Sequence, residues 1–239
     1  FMLNDSTMNI AGKDAKVIID NAVSFGTQLT MSEGATLEIK NPKATAANIY
    51  PTSINNAKIT VTGASDGNHG LFFYGVKGSV NADDKTTAGV LTNSAITSDG
   101  IIGLYNSASS DAINAQGTTI TASILRDVYS GSGNDAKLSG ATLNVGQIAA
   151  PITDGYSTDV PNVEGAKTTK LQLTGVVFAG KTTVSKGAEV VLGGESFVNA
   201  GAALTKADGA TVTFATNATS TCPRDVLDSE ISESRPSGG

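Results

Sequence analysis

One short pattern recurs along this chain and restricts its fold more than any other feature: a small residue, then apolar residues two and four positions later. It reads Ala35-Thr-Leu37-Glu-Ile39, Ala57-Lys-Ile59-Thr-Val61, Ala141-Thr-Leu143-Asn-Val145, Ala188-Glu-Val190-Val-Leu192 and Ala210-Thr-Val212-Thr-Phe214. Looser copies are Ser94-Ala-Ile96-Thr-Ser98, Thr118-Thr-Ile120-Thr-Ala122 and Thr169-Lys-Leu171-Gln-Leu173. Successive side chains of an extended strand face opposite sides, so Ala35, Leu37 and Ile39 share one face and Thr36 and Glu38 the other. Each copy is a half-buried strand. The first positions are separated by 22, 37, 24, 23, 28, 19 and 22 residues. A period near 22 fits three short strands and three turns, which is one coil of a parallel β-helix. A left-handed coil built on hexapeptides would show a six-residue repeat, and none is visible. The chain is therefore predicted to be all-β, a right-handed parallel β-helix (β-solenoid) of about ten coils near 22 residues each. The solenoid is placed over residues 1–214, with insertions near 66–90 and 146–168, and 215–239 is read as a polar tail or linker.

Composition agrees with that architecture and removes several partners. Of 239 residues 27 are Gly and none is Trp, and charged residues make up 16%, which suits tight turns and small stacked side chains rather than a helical bundle. The net charge of −6 opposes binding to nucleic acid or to anionic lipid, since both need clustered Lys and Arg. No run approaches the ~20 apolar residues of a spanning helix, so no membrane insertion of this segment is expected. The chain opens Phe1-Met2-Leu3 with no basic-then-apolar leader, and is read as a piece of a longer precursor.

Three segments share a longer signature, Leu29-Thr-Met-Ser-Glu-Gly34-Ala35, Thr182-Thr-Val-Ser-Lys-Gly187-Ala188 and Leu204-Thr-Lys-Ala-Asp-Gly209-Ala210. The glycine just before the strand predicts a turn with positive φ. Gly-Ala-x-Φ-x-Φ coils joined by Thr/Ser/Asn/Gly-rich turns, from about Gly34 to Phe214, resemble the passenger region of autotransporter (type V-secreted) bacterial surface adhesins. The resemblance implies a secreted β-helix on the outer cell surface, used in adhesion, self-association or biofilm formation. Its implied partners are copies of itself on neighbouring cells, or a host surface protein or glycan. This chain departs from the family in lacking a membrane barrel after the repeat, a Gly-Asp-Ser-Gly protease motif and an Arg-Gly-Asp motif.

Insertions in solenoids become loops on one face, often the binding face, so the two long intervals supply the candidate site. The first carries His69-Gly70-Leu71-Phe72-Phe73-Tyr74 and then Asp83-Asp84; Phe72, Phe73 and Tyr74 are candidates to stack on sugar rings or anchor a protein interface. The competing assignment has Leu71 and Phe73 pointing inward as part of an ordinary coil. The second insertion contributes Asp154, Tyr156 and Asp159 to contact a cationic or carbohydrate partner.

Catalytic sets are scarce. His69 is the single histidine and Cys222 the single cysteine, so neither a zinc set of His and Cys nor a supported Ser-His-Asp triad can be assembled, and no metal or other cofactor is expected. Asp83, Asp84, Asp111, Arg126 and Asp127 are the raw material for a carboxylate-pair polysaccharide enzyme. Ser130-Gly-Ser-Gly133-Asn134-Asp135 echoes a calcium-binding nonapeptide that works only in tandem copies, and one is present. Thr60-Val-Thr62, Thr119-Ile-Thr121 and Thr211-Val-Thr213 fall at different offsets of their coils, which predicts against a flat threonine array. The leading expectation is a non-enzymatic adhesion or self-association module. Behind it stand a subunit that polymerises end to end into a filament or matrix and, third, a polysaccharide-active enzyme.

Overall fold

The structure, a computed structural model, describes residues 2–21, 24–42, 47–64, 69–74, 76–77, 87–105, 112–127, 135–150 and 170–215. All but one of their strand pairs are parallel, stacked coil upon coil as a β-solenoid, and no helix occurs among them. Three stacks of strands surround one core. The second stack is the most continuous, because its inward residues form one column: Val17, Leu37, Ile59, Ile96, Ile120, Leu143, Phe178 and Val198. From Leu37 to Phe178 this column is essentially shut off from solvent. The third stack contributes Leu71, Ile102, Leu125, Ile148 and Val184. The first contributes Ile113, Leu138, Leu173 and Leu192. Strands such as Ala95–Tyr105 and Thr119–Asp127 bend through a corner and serve two stacks, which merges most of the molecule into one 15-stranded sheet; Ile113–Asn114, Ala136–Ser139, Leu171–Thr174, Glu189–Gly193 and Thr211–Phe214 form a separate sheet of five.

The recurring small residue has a local cause. The residue before it takes a positive φ: Gly34 (85°), Asn56 (49°), Asn93 (50°), Gly117 (71°), Gly140 (75°) and Gly175 (59°). Gly, and Asn among residues with a Cβ, reach this left-handed region at least cost. The left-handed residue swings the chain from the first stack into the second, and the next side chain then points into a narrow corner. Ala35, Ala57, Ser94, Thr118 and Ala141 occupy that corner and are buried. Ladder bonds run between their backbones from rung to rung, as Lys58 N–H to the Ala35 carbonyl at 2.9 Å and Thr142 N–H to the Thr118 carbonyl at 2.8 Å. Where the sequence departs from Ala, the hydroxyl is used: Ser94 Oγ donates to the Thr92 carbonyl at 2.7 Å and Thr118 Oγ1 to the Leu91 carbonyl at 2.6 Å.

Two expectations need correction. The copies beginning at Thr169, Ala188 and Ala210 do not continue the Ala35 column, since Leu171 pairs with Val190 and Val190 with Val212 in the first stack. At Ala188 and Ala210 the same chemistry of a left-handed glycine, a small residue and alternating apolar residues is reused at a different corner. The coils are also fewer than ten. The chain spends 37 residues between Ile59 and Ile96 and 35 between Leu143 and Phe178, and each excursion adds only one rung.

The paired threonines fall at different offsets, as expected. Thr60, Thr97 and Thr121 pair in register on the outward side of the second stack, but Thr119 shares the column of Ala95 and Lys58, Thr62 pairs with Lys40, and Thr213 pairs with Val191 in the first stack.

Candidate interaction edge

The strand His69–Tyr74 is an ordinary rung of the third stack, so the first insertion is narrower than its 37-residue interval implied. Within it, Leu71 and Phe73 are both 0% exposed and pair with the core residues Ile102 and Leu104. Phe73 is thus part of the core, and the burial that fixes this strand withdraws it from any surface contact. Phe72 alternates with them in register, pairing with Asn48 on one side and Gly103 on the other. Tyr74 pairs with Tyr105. Arg126 follows Gly103 in the same column and Ala149 follows Arg126. Ile101, which alternates with Ile102 in the core, is 4% exposed.

After Tyr74 the parallel path is interrupted by an antiparallel pair, Val76–Lys77 with Thr87–Ala88. This two-rung stem carries residues 78–86, and Asp83 and Asp84 lie there, outside the described residues. Asp154, Tyr156 and Asp159 also lie outside them, as do Asp111, the Ser130–Asn134 turn and the tail from 216 onward with Cys222. Asp127 is described: it occupies an inward position paired with Leu104 and is 2% exposed, which closes it off from a polymeric substrate. Sequence spacing alone could not show this, because the register bulge between Ser98 and Ile101 resets the alternation of the strand it pairs with.

What the structure brings together is the set of long connections. Between Tyr74 and Leu91, Tyr105 and Ile113, Asp127 and Ala136, and Ala149 and Leu171 the chain passes from the third stack to the first. These are four successive coils, with 16, 7, 8 and 21 intervening residues. No connection at the other two corners among these stacks exceeds six residues. In the last coils the same corner is crossed by tight turns, in which Ala188 N–H donates to the Ser185 carbonyl and Ala210 N–H to the Ala207 carbonyl, both at 3.0 Å. The two long excursions identified from sequence therefore share one edge with two shorter ones.

Carboxylates of neighbouring rungs pin the chain at two corners, one of them where the second excursion ends. Asp99 accepts from the backbone N–H of Gly63 at 2.6 Å and of Ala64 at 3.2 Å, where the chain leaves the Lys58–Thr62 strand. Asp135 accepts from Lys170 N–H at 2.9 Å and from Gln172 Nε2 at 2.6 Å, where it re-enters as Leu171–Thr174. Sequence reading did not single out Asp99, and it named Asp135 only as the last residue of the calcium-motif echo.

The fold thus defines the class of protein, a parallel β-solenoid with one looped edge. No protein-family model matches the chain, and neither does any curated protein or solved structure.

Proposed function

We propose that this chain is an adhesion or self-association module displayed outside the cell, and that its contact region is the edge where the third stack passes to the first. The observation that carries this reading is the placement of the long connections of four successive coils on that one edge, against short turns at the other corners. A stack of rungs about 4.8 Å apart holds such segments in a row on a rigid support, as an extended binding surface requires. The parallel solenoid is also the architecture implied by the resemblance to autotransporter passengers, which supports the secreted, surface-exposed part of the reading. Exchange of residues 78–86 and 151–169 for short Gly-Ser linkers is the test, with binding to a panel of glycans and to immobilised copies of the same chain as readouts. Loss of binding with an unchanged melting temperature is the expected result, and full binding by the linker variant refutes the proposal.

A second reading, end-to-end polymerisation, is favoured by the last described rung. Phe214 stacks on Leu192 in a column buried at Leu173 and Leu192, yet is itself 42% exposed. Among the described residues no further strand pairs with it, and unpaired strand edges template further strands. Electron microscopy separates the readings: filaments of stacked rods support polymerisation, and monodisperse short rods reject it.

A further inference from the structure

We infer that Lys206 guards the open edge of the solenoid: standing at an inward position in the last described rung of the third stack, it opposes the laying of a further rung by a second copy of this chain. The position is defined by register. Leu71, Ile102, Leu125, Ile148 and Val184 follow one another in a single inward column, and Lys206 pairs with Val184 as its next member. The five apolar residues are at most 1% exposed, whereas Lys206 is exposed. Among the described residues no strand pairs with the far side of Ala203–Lys206, so the lysine stands at an open edge.

A further rung would take that exposure away. It would set the Lys206 side chain between Val184 and a new inward residue, and an apolar column offers nothing to replace the water lost by a charged group with three donors. The neighbouring column shows what an inward polar group needs here. Thr182, 1% exposed and paired with Leu204, donates its Oγ1 hydrogen to the Val145 carbonyl at 2.7 Å. Val184 has no acceptor on its side chain. The other two stacks end without a charge, in the columns of Phe178 with Val198 and of Leu192 with Phe214, so the obstacle is confined to one residue. Inward charges, and lysine above all, are a device by which edge strands resist pairing with another chain. Because a coil crosses all three stacks, the guard goes beyond the adhesion reading and weighs against unaided end-to-end polymerisation at this edge.

Rod length in electron micrographs tests the guard, because strand addition lengthens a rod and lateral contacts through the looped edge do not. Lys206→Val and Lys206→Leu place an apolar residue after Val184; Lys181→Val, which removes the same charge from an exposed position one rung earlier, is the control. The parent and Lys181→Val should remain short rods. Both Lys206 variants should keep the β-sheet spectrum and form longer rods at a concentration at least about tenfold below any at which the parent does. Equal lengths in all four proteins overturn the inference, as does elongation of the parent at the same concentration, or of Lys181→Val to the same extent. Loss of the β-sheet spectrum in both Lys206 variants also overturns it, because Lys206 would then support the fold itself. Failure of the adhesion reading would appear as absent binding with these lengths unchanged, so the two fail separately.

Discussion

The backbone N–H of Ser94 donates to Thr118 Oγ1 at 3.1 Å, one coil away, and Ser94 Oγ in turn accepts from Ala57 N–H at 3.1 Å. Both side chains are buried at the corner that Ala35, Ala57 and Ala141 fill in other coils. Thr118→Val keeps the shape and removes the hydroxyl, leaving the Ser94 N–H and the Leu91 carbonyl short of a partner. Chemical denaturation should show a loss of about 1–3 kcal/mol. A loss no larger than that of an exposed control such as Thr119→Val would contradict the assignment.

Gly187 turns the chain from the third stack into the first at φ 79°. A Cβ added there would sit 3.5 Å from that of Ala150, an ordinary contact, so the cost of substitution is one of backbone conformation alone. Gly187→Ala should lower stability by roughly 1–2 kcal/mol. Gly187→Asn should cost less, since Asn visits this region more readily, and Gly187→Val more. Thermal melts of the three variants check the order.

Glu38 joins two coils on the solvent side of the second stack, 2.6 Å from the Lys16 ammonium on the preceding rung and 3.5 Å from that of Lys40. The hydrogen bond from Lys16 is the chief cause that holds its carboxyl below the ordinary value of 4.5; partial desolvation opposes it, and Lys40 adds to it. A carboxyl depressed in the folded state stabilises the protein above its unfolded value, and the contribution is lost as pH falls through the lower folded value. Melting temperatures of the parent and of Glu38→Gln should therefore differ near neutral pH and converge on acidification. Salt at about 1 M should shrink the gap. A gap independent of both would assign the effect to something other than the ion pair.

Phe73 and Phe72 are adjacent and should behave differently. Phe73→Ala removes a ring that is 0% exposed and should cost about 3–5 kcal/mol. Phe72→Ala, at the alternate register position beside Gly103, should cost less stability. Paired denaturation curves decide it; equal destabilisation by both would contradict the alternation.

The inward columns were legible in the sequence because burial imposes a period of two that Ala35, Leu37 and Ile39 display in isolation. Which corner a copy belongs to was not. The turn before Ala188 and the turn before Ala35 share Gly and a small residue, and local chemistry carries no record of how many strands have passed since the last corner. The three adjacent aromatics posed the same difficulty, since alternation leaves two phases open; the pairing of Phe73 with Leu104 chose one. Asp127 was legible as a carboxylate but not as a buried one, for its inward position depends on a bulge between Ser98 and Ile101.

Confinement of the long connections to one edge separates two kinds of change that most folds keep entangled. Residues from Leu37 to Phe178 in the second-stack column are each locked between neighbours on both sides, so their substitution propagates along the stack. Segments at the looped edge lie between strands whose alignment is held by other rungs, and they can be lengthened, shortened or exchanged one coil at a time. The same property suits the solenoid to carry grafted peptides in a fixed order and at a spacing set by the rungs.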